Sequence, residues 1–336
     1  MAATKTYLTG IQTSGQPHLG NYIGAINPAL AAAQSADSLY FLADYHSLNS
    51  VKDPAVLREN VRSVAATWLA CGLDPERTCL YRQSSIPEVF ELTLILASVT
   101  SKGLMNRAHA YKAARDRNTA AGVADLDSGV NMGLFNYPIL MAADILVMET
   151  DLVPVGRDQA QHIEYAADIA GAFNHLYGGS YAFPIPKGVY PEGEGSILPG
   201  IDGRKMSKSY DNHIPLFVPE KQLRKLVRRI TTDSTPVEAP KDPDTSVPFQ
   251  LLAQFADAER TADVRKRLEA GGMGWGTLKD ELFDVLTTLI APMRDRYDAL
   301  MAPGSELDAI LDSGAERARE RSRATLAKVR AAIGID

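Results

Sequence analysis

The amino-acid sequence predicts an α/β protein in which a doubly wound parallel sheet is followed by a smaller all-helical domain. Through the first half of the chain, short apolar runs alternate with helical patterns. These runs are apolar on both faces, which is typical of parallel strands covered by helices on both sides. After about His213 the strand patterns stop and only helical patterns follow. In such a sheet the crossovers are right-handed, and ligands bind at the carboxyl ends of the strands.

The elements of the first half follow each other in regular order. They are strands over Lys5–Thr9, Ser38–Ala43, Thr78–Gln83 and Leu152–Gly156, and helices over Asn21–Gln34, from Pro54 to about Cys71, from Pro87, and over Gln159–Ala172. Pro54 stands in the first turn of its helix, where proline is favoured. The polar segment Arg115–Gly129 predicts a mobile loop. The glycines and prolines of Tyr177–Gly203 predict turns and are compatible with a short hairpin.

The second half is predicted to be helical. Its patterns predict helices over Lys221–Thr231, Val247–Ala256, Thr261–Ala270, Leu278–Met301 and Ser305–Ala332. Pro292 lies inside the fourth of these. It should kink or interrupt that helix, because proline lacks the backbone N–H and clashes with the preceding turn.

The composition indicates an ordinary globular protein. The 336 residues are 45% hydrophobic and 23% charged, and apolar stretches such as Tyr137–Val147 are too short to span a bilayer. The segment that begins at Met1 has no apolar signal core, so we expect a cytoplasmic protein. Cys71 and Cys79 form neither a C-x-x-C pair nor a zinc-ligand spacing, which predicts reduced thiols and no metal site.

Basic residues are concentrated in two short segments, although the net charge is −6. The first set is Lys221, Arg224, Lys225, Arg228 and Arg229. The second set is Arg317, Arg319, Arg321, Arg323, Lys328 and Arg330. Each set fits a solvated helix face, and each also fits a surface that contacts a nucleic-acid phosphate backbone. Charge alone does not choose between these interpretations.

The first motif with a chemical meaning follows the first strand and opens the first helix. It reads Thr9-Gly-Ile-Gln-Thr-Ser-Gly-Gln-Pro-His-Leu-Gly-Asn21. Its glycines let the backbone approach a ligand, and the start of the helix offers N–H groups to an anion. His18 and Asn21 would project from the first turn toward the phosphates of ATP. The alternative is an ordinary turn in which His18 only caps the helix.

The second motif is a basic loop, Gly203-Arg-Lys-Met-Ser-Lys-Ser209. Its two lysines, Lys205 and Lys208, flank a serine and a methionine. Mobile ammonium groups can follow the negative charge that develops on a leaving pyrophosphate. The alternative, a basic loop without function, is disfavoured because this string is highly specific.

The two motifs together resemble the paired signatures of class I aminoacyl-tRNA synthetases. The usual first signature ends in a second histidine, and Asn21 in its place is characteristic of the tryptophanyl branch. Further strings agree over nearly the whole chain. They are Gly10–Ser14, Asn21–Ala25, Met141–Leu146, Asp151–Glu164 and Gly314–Ala318.

The resemblance implies which residues bind ATP and tryptophan. The ATP site would comprise Gln12, Thr13, Ser14, Gly20, Asn21, Gly156, Arg157, Asp158, Ile197 and Leu198, with Lys205, Met206, Ser207, Lys208 and Ser209 on the phosphate loop. The catalytic residues would be Lys205, Lys208, Lys112, His18 and Asn21. Tryptophan would be bound by Asp144, Met141, Tyr137, His46 and Gln159. Asp144 would accept the hydrogen bond of the indole N–H.

The residues themselves give a separate argument for Asp144. It lies in the apolar helix Ile139–Met148, where burying an unpaired carboxylate is costly. A buried acceptor aimed at a donor rejects analogues that lack the donor far better than an apolar pocket does. The alternative is an aspartate at the rim of the pocket, paired with a nearby arginine.

The implied reaction joins tryptophan to its transfer RNA in two steps. The tryptophan carboxylate attacks the α-phosphate of ATP, with Mg²⁺ bridging the phosphates, and gives the adenylate and pyrophosphate. The terminal ribose of tRNA(Trp) then attacks the adenylate carbonyl. The implied domains are a catalytic domain over 1–212, an anticodon-binding domain over 213–312, and a last helix, 313–336, that packs back on the catalytic domain. The implied assembly is a homodimer that does not bind membranes.

Three other functions remain open at this stage. A tyrosyl-tRNA synthetase shares the fold and mechanism, but its lysine loop usually differs and the string after Asp151 argues against it. A small nucleotidyltransferase would not need the helical domain. A non-catalytic paralogue would bind RNA or sense an amino acid. The intact lysines and His18 argue against this last function without excluding it.

Overall fold

Five parallel strands form the sheet at the centre of the first half of the chain. The strands are β1 (Thr6–Ile11), β2 (Asp37–Leu42), β3 (Cys79–Arg82), β4 (Leu152–Pro154) and β5 (Lys187–Val189). Their spatial order is β3-β2-β1-β4-β5, and every neighbouring pair is parallel. The predicted fold class, a doubly wound parallel sheet with a helical second region, is confirmed. The computed structural model describes residues 5–13, 15–33, 37–156, 159–190 and 198–335.

Helices separate the strands and then occupy the rest of the chain. The sheet region holds α1 (Leu19–Asn21), α2 (Asn27–Ala33), α3 (Asp44–Ser47), α4 (Pro54–Ala70), α5 (Glu88–Val99), α6 (Lys102–Met105), α7 (His109–Ala120), α8 (Met132–Val147) and α9 (Ala160–Tyr177). The later region holds α10 (Glu220–Arg228), α11 (Val247–Phe255), α12 (Ala258–Ala270), α13 (Trp275–Met301) and α14 (Leu307–Ile333). A π-helical turn, Tyr22–Ile26, links α1 to α2.

The central strands are buried because their side chains are apolar on both faces. In β2 every residue after Asp37 is buried, and Leu8 of β1 lies opposite Leu39 in the parallel register. One hydrophobic cluster covers each face of the sheet. The strand order reverses between β1 and β4. A crevice opens at such a point beyond the carboxyl ends of the two strands, and the first signature begins there, just after Ile11.

The polar segment predicted as a mobile loop is helical in its first part, so that prediction is wrong for residues 115–120. They form the end of α7. The segment that follows is held on the helix, because Tyr111 donates a hydrogen bond to Asp127 and the amide of Asn118 donates to two carbonyl groups. Tertiary hydrogen bonds thus order a segment whose composition indicates a loop.

The described residues decide two further expectations. Before residue 191 the glycine- and proline-rich segment forms β5, which pairs parallel with β4. At the end of the segment a short antiparallel turn forms, in which Pro199 is bridged to Lys205 and the N–H of Met206 donates to the carbonyl of Leu198. Pro292 does not interrupt its helix, since α13 runs continuously from Trp275 to Met301. The buried side chains on both sides of Pro292, including Ile290 and Tyr297, anchor the helix by packing. Such packing can outweigh one lost backbone hydrogen bond.

The helical region packs directly on the sheet region. One continuous hydrophobic cluster joins strand residues such as Leu42 to residues of α10–α13. Ser63 of α4 lies 2.9 Å from the hydroxyl of Tyr297. The last helix, α14, returns to the edge strand β3. Gly314 lies so close to the backbone of Leu80 that any larger residue would clash.

Five of the six basic residues of the second set, all on α14, contact the sheet region. Arg317 donates to the carbonyl oxygens of Pro75 and Thr78, and Arg321 pairs with Asp37. The remaining pairs are Arg323–Glu88, Lys328–Glu149 and Arg330–Glu91. These contacts hold the helix in place, which neither interpretation of this set predicted. Arg323, Lys328 and Arg330 nevertheless remain about half exposed, in agreement with a solvated helix face.

Candidate active site

The first signature forms a short helix, α1, whose first turn is capped by reciprocal hydrogen bonds between His18 and Asn21. His18 is the N-cap of α1. Its Nδ1 accepts from the backbone N–H of Asn21, and the Asn21 side chain accepts from the backbone N–H of His18. His18 is therefore a helix cap, as one interpretation of the sequence held. Because Nδ1 accepts, the ring proton of the neutral imidazole lies on Nε2.

His18 is also buried beside the second signature. Its side chain is 8% exposed, and its ring lies 5.7 Å from that of His213. Burial, together with the electrostatic effects of the neighbouring His213 and Lys208, lowers the pKa of His18 to about 4. At neutral pH this histidine is consequently uncharged and can act as a hydrogen-bond donor.

The lysine loop lies against the first signature. A Cβ atom at Gly15 would be 3.6 Å from Lys208 Nζ, and one at Gly20 would be 3.7 Å from Met206 Cβ. Backbone bonds join the flanking segments, since Leu19 N–H donates to Ile214 and Leu216 N–H donates to Pro17. The fold therefore brings together two motifs that are far apart in the sequence.

Within this loop the methionine is the anchor and the lysines face outward. Met206 is 4% exposed, whereas Lys205, Lys208 and Ser209 are exposed. Partial burial of the ammonium group lowers the pKa of Lys208 from its ordinary value. The hydroxyl of Ser207 caps a short 3₁₀ turn by accepting from the N–H of Ser209.

A buried amide next to the loop holds its shape. Asn212 is 1% exposed. Its Oδ1 accepts from the N–H of Ser207 at 2.8 Å, and its Nδ2 donates to Asp202 at 2.7 Å and to the carbonyl of Lys205 at 3.1 Å. The backbone of the loop is thus fixed from the inside, while the lysine side chains remain outside.

The predicted tryptophan-binding residues lie on and opposite one face of α8. Tyr137, Met141 and Asp144 follow each other at helical spacing and share that face. His46 of α3 stands opposite, with its Nε2 at 3.0 Å from Asp144 Oδ2. The Tyr137 hydroxyl lies 3.1 Å from the ring of His162. An aromatic, largely apolar wall with one carboxylate results.

The carboxylate of Asp144 is buried and hydrogen-bonded. Its residue is 2% exposed, and its oxygens accept from His46 and from the amide of Gln83. Burial raises the pKa of Asp144, and the hydrogen bonds from His46 and Gln83 oppose this shift. The alternative of an exposed aspartate paired with an arginine is wrong, because its side-chain partners in the described part of the chain are a histidine and an amide.

The remaining predicted site residues differ in their exposure and contacts. Gln12, Asn21, Gly156 and Gln159 are exposed, and Lys112 lies on the exposed face of α7. Over the described residues, no hydrogen bond or ion pair joins Lys112 to either signature. Leu198 is buried and its carbonyl accepts from the N–H of Met206. Ser14, Arg157, Asp158 and Ile197 lie outside the described residues.

Three side chains that support the site residues were not identified from the sequence. Gln83 supports Asp144, Asn212 supports the lysine loop, and Ser47 lies 2.7 Å from the buried hydroxyl of Thr13. The only available signal was position, because Gln83 and Ser47 each follow the carboxyl end of a strand. Polar residues at such positions are common in turns, so the pattern alone did not identify them.

The described residues hold no cluster of three potential metal ligands. In the same parts of the chain, no helix is both long and apolar enough to cross a membrane.

The fold and the site together define a nucleotide-binding α/β enzyme of the class I synthetase type, with two signatures that meet at the carboxyl ends of the strands. The chain belongs to the family described as tRNA synthetases class I (W and Y), whose model matches residues 3–290.

Within this family, the individual relatives that resemble the chain belong to the tryptophanyl branch. The tryptophan–tRNA ligase of Pseudomonas aeruginosa is 52% identical over 335 residues, which cover 99% of this chain and 74% of that one. The tryptophan–tRNA ligase of Neisseria meningitidis is 50% identical over 98% of both chains. The tryptophanyl-tRNA synthetase of Campylobacter jejuni complexed with ADP and tryptophan superposes with a TM-score of 0.89. It is 39% identical and covers 98% of this chain and 99% of its own.

Proposed function

We infer that the chain activates L-tryptophan with ATP, forms tryptophanyl-adenylate and pyrophosphate, and transfers tryptophan to tRNA(Trp). The high identity to tryptophan–tRNA ligases over nearly the full chain supports this function. The structural observation that carries it is the contact between the two signatures, with Lys208 Nζ within 3.6 Å of a Cβ position at Gly15. The tyrosyl alternative is not favoured by these relatives.

In the activation step the chain would position the two substrates and stabilise the charge that develops. The tryptophan carboxylate attacks the α-phosphorus, the bond to the bridging oxygen breaks, and pyrophosphate leaves. Lys205, Lys208 and Lys112 would stabilise the leaving pyrophosphate, and the Nε2–H of His18 would donate to a phosphate oxygen. Mg²⁺ would be held mainly by the phosphates of ATP and would neutralise part of their negative charge.

The lining proposed for the ATP site follows from the resemblance to class I aminoacyl-tRNA synthetases. Gln12, Thr13 and Ser14 would line it beside Gly20 and Asn21, with Gly156, Arg157 and Asp158 near the ribose. Ile197 and Leu198 would border adenine. The loop of Lys205, Met206, Ser207, Lys208 and Ser209 would close on the phosphates. Exposed lysines on a backbone held by Asn212 suit this role, because their ammonium groups can move toward the ligand.

Asp144 would accept the indole N–H of tryptophan. The indole has one polar atom, which can only donate, and an ionised carboxylate can only accept. Asp144 is the only buried aspartate among the described residues. Met141 and Tyr137 would pack on the ring, while His46 and Gln159 would complete the site.

The helical region, residues 213–312, would read the anticodon, and residues 1–212 with the last helix, 313–336, would form the catalytic domain. On α10, Arg224 and Arg228 pair with Asp280 of α13. The exposed Lys221, Lys225 and Arg229 therefore form the candidate contact with the phosphate backbone. Neutralising these three residues should reduce the salt dependence of aminoacylation and leave amino-acid activation unchanged.

We also propose a cytoplasmic homodimer. An exposed apolar patch supports a partner subunit on the α3 and α5 side. The rings of Tyr45 and Phe90 meet edge to face with their centroids 4.6 Å apart, and Leu48 and Leu94 are 46% and 75% exposed. Such a patch on a protein surface commonly marks an interface. Replacing Leu94 with Glu should convert the dimer to a monomer in sedimentation velocity, and a dimer that persists would contradict this location of the interface.

The test of the proposed function is amino-acid-dependent exchange of pyrophosphate into ATP, measured with each of the twenty amino acids. Exchange with tryptophan alone is expected. Exchange with tyrosine instead would keep the fold and contradict the role of Asp144. No exchange with any amino acid would indicate a non-catalytic paralogue.

A further inference from the structure

Gln83 is a buried side chain outside the predicted substrate-binding residues. It begins the 3₁₀ turn that follows β3, and it is fully buried. Its Nε2 lies 3.0 Å from Oδ1 and 2.9 Å from Oδ2 of Asp144. Its Oε1 accepts from the backbone N–H of Tyr45 at 3.1 Å. Since a backbone N–H can only donate, this bond fixes the amide with its oxygen toward Tyr45 and its nitrogen toward Asp144.

We propose that Gln83 is a positioning residue that holds the carboxylate of Asp144 in place for the indole N–H, and so sets the discrimination against aromatic amino acids that lack this donor. The proposal rests on the function inferred above.

The arrangement of hydrogen bonds leaves one carboxylate oxygen available to a ligand. An ionised carboxylate has about four acceptor sites, two on each oxygen. Oδ2 accepts from both His46 and Gln83, whereas Oδ1 accepts from Gln83 alone within the described chain. The remaining acceptor site is therefore on Oδ1. Because Gln83 and His46 both bind the carboxylate, its direction is set before a substrate arrives.

A neutral amide is suited to this role. An arginine or lysine next to Asp144 would neutralise the carboxylate and compete with the substrate for it. The amide of Gln83 fixes the same oxygens without adding a positive charge. It comes from the carboxyl end of β3, and His46 follows the carboxyl end of the neighbouring β2. Both supports are thus attached to the sheet, which makes the acceptor rigid.

The experiment compares two substitutions of Gln83 with two substrates. Gln83→Glu keeps an oxygen that can accept from Tyr45 N–H but removes the donor to Asp144. Gln83→Leu removes both interactions. Each variant is assayed by pyrophosphate exchange with tryptophan and with the benzothiophene analogue, in which sulfur replaces the indole N–H. The measured quantity is the ratio of kcat/KM for tryptophan to kcat/KM for the analogue, which does not depend on the folded fraction of a preparation.

In both variants we expect this ratio to fall by roughly 10- to 100-fold, because activity with tryptophan decreases. This range corresponds to the loss of a hydrogen bond to a charged group. If Gln83 only supports Tyr45, Gln83→Glu keeps the wild-type ratio and Gln83→Leu loses activity equally with both substrates. Either of these results overturns the proposal. A matched control is Thr67→Val, which removes a buried hydroxyl bonded to the carbonyl of Ser63 in α4. It should keep the wild-type ratio.

Pyrophosphate exchange by the wild-type protein distinguishes an error in the proposed function from an error in the role of Gln83. If it does not exchange pyrophosphate with tryptophan, both the proposed function and the role of Gln83 are wrong. If it does, and the ratio is unchanged in the Gln83 variants, only the role of Gln83 is wrong.

Discussion

The tryptophan pocket and the lysine loop lie on the same sheet but hold their functional groups in opposite environments, one buried and one exposed. In the pocket the critical group, the Asp144 carboxylate, is buried and held by two side chains. In the loop the critical groups, the ammonium groups of Lys205 and Lys208, are exposed, and Asn212 holds the backbone between them. A fixed, desolvated acceptor gives selectivity, because a substrate without the donor leaves it unpaired. Mobile cations stabilise charge that moves during the reaction.

The comparison predicts that the two regions affect different kinetic constants. Changes in the pocket should weaken tryptophan binding and lower its selectivity. Changes in the loop should slow the chemical step and leave tryptophan binding nearly unchanged.

The largest effect is expected for Lys208→Ala. Removing a cation that stabilises the transition state should lower kcat for pyrophosphate exchange by roughly 100- to 1,000-fold. The KM for tryptophan should stay close to that of the wild type. Lys221→Ala removes an exposed lysine of α10 and serves as the control. A Lys208 variant with wild-type kcat would remove the loop from the mechanism.

The next effect is expected for Asp144→Asn. It removes the ionised acceptor and places an amide opposite the amide of Gln83, so kcat/KM for tryptophan should fall by roughly 100-fold. Asp312→Asn, which removes an exposed carboxylate of α14, is the charge-matched control and should be nearly silent. An Asp144 variant that keeps its affinity for tryptophan would show that the pocket recognises the indole in another way.

A smaller effect is expected for Asn212→Ala, which releases the backbone of the lysine loop. Losing the bonds to Ser207 and Lys205 should lower kcat about tenfold, with KM for tryptophan unchanged. Thr231→Val removes a side-chain bond to the carbonyl of Ile201 at the base of the same loop. It should have a lesser effect, and the reverse order would mean that Asn212 does not position the lysines.

The smallest effect concerns the protonation of His18. The folded protein holds the pKa of His18 at about 4, below the ordinary value of 6.5. Folding thus favours the neutral ring, so its contribution to stability is complete above about pH 6.5 and is lost as the pH falls toward 4. An NMR titration of ¹³C-labelled histidines should give a midpoint near 4 for the signal that disappears in His18→Asn.

The same titration links the two signatures. The charge of Lys208 is one cause of the lowered pKa of His18, so Lys208→Ala should raise the midpoint. An unchanged midpoint would mean that the two groups lie farther apart in solution than in the structure.

The sequence predicted the fold well where the pattern is local. The strands β1 to β4 and the helices α10 to α14 lie within a few residues of their predicted bounds, because apolar periodicity and capping residues determine them. Residues 115–120 were missed because a tether between Tyr111 and Asp127 orders that segment. β5 was missed because it lies in the glycine- and proline-rich segment, whose composition indicates turns.

The candidate site was predictable as motifs but not as geometry. Family resemblance indicated Asp144 and the lysine loop, yet no pattern indicated Gln83 or Asn212, since their roles arise from contacts across the fold. The arginines of α14 show the same limit. Their partners, such as Asp37 and Glu88, lie more than 200 residues away in the sequence.

The most direct test of the contrast between the two regions is the dissociation constant of tryptophan for Lys208→Ala and Asp144→Asn, measured side by side by calorimetry. A fixed pocket and a separate mobile loop predict a value within about twofold of the wild type for Lys208→Ala. They predict a value weakened by roughly 30-fold or more for Asp144→Asn. Equal weakening in the two variants, or wild-type binding by Asp144→Asn, would contradict this division of roles.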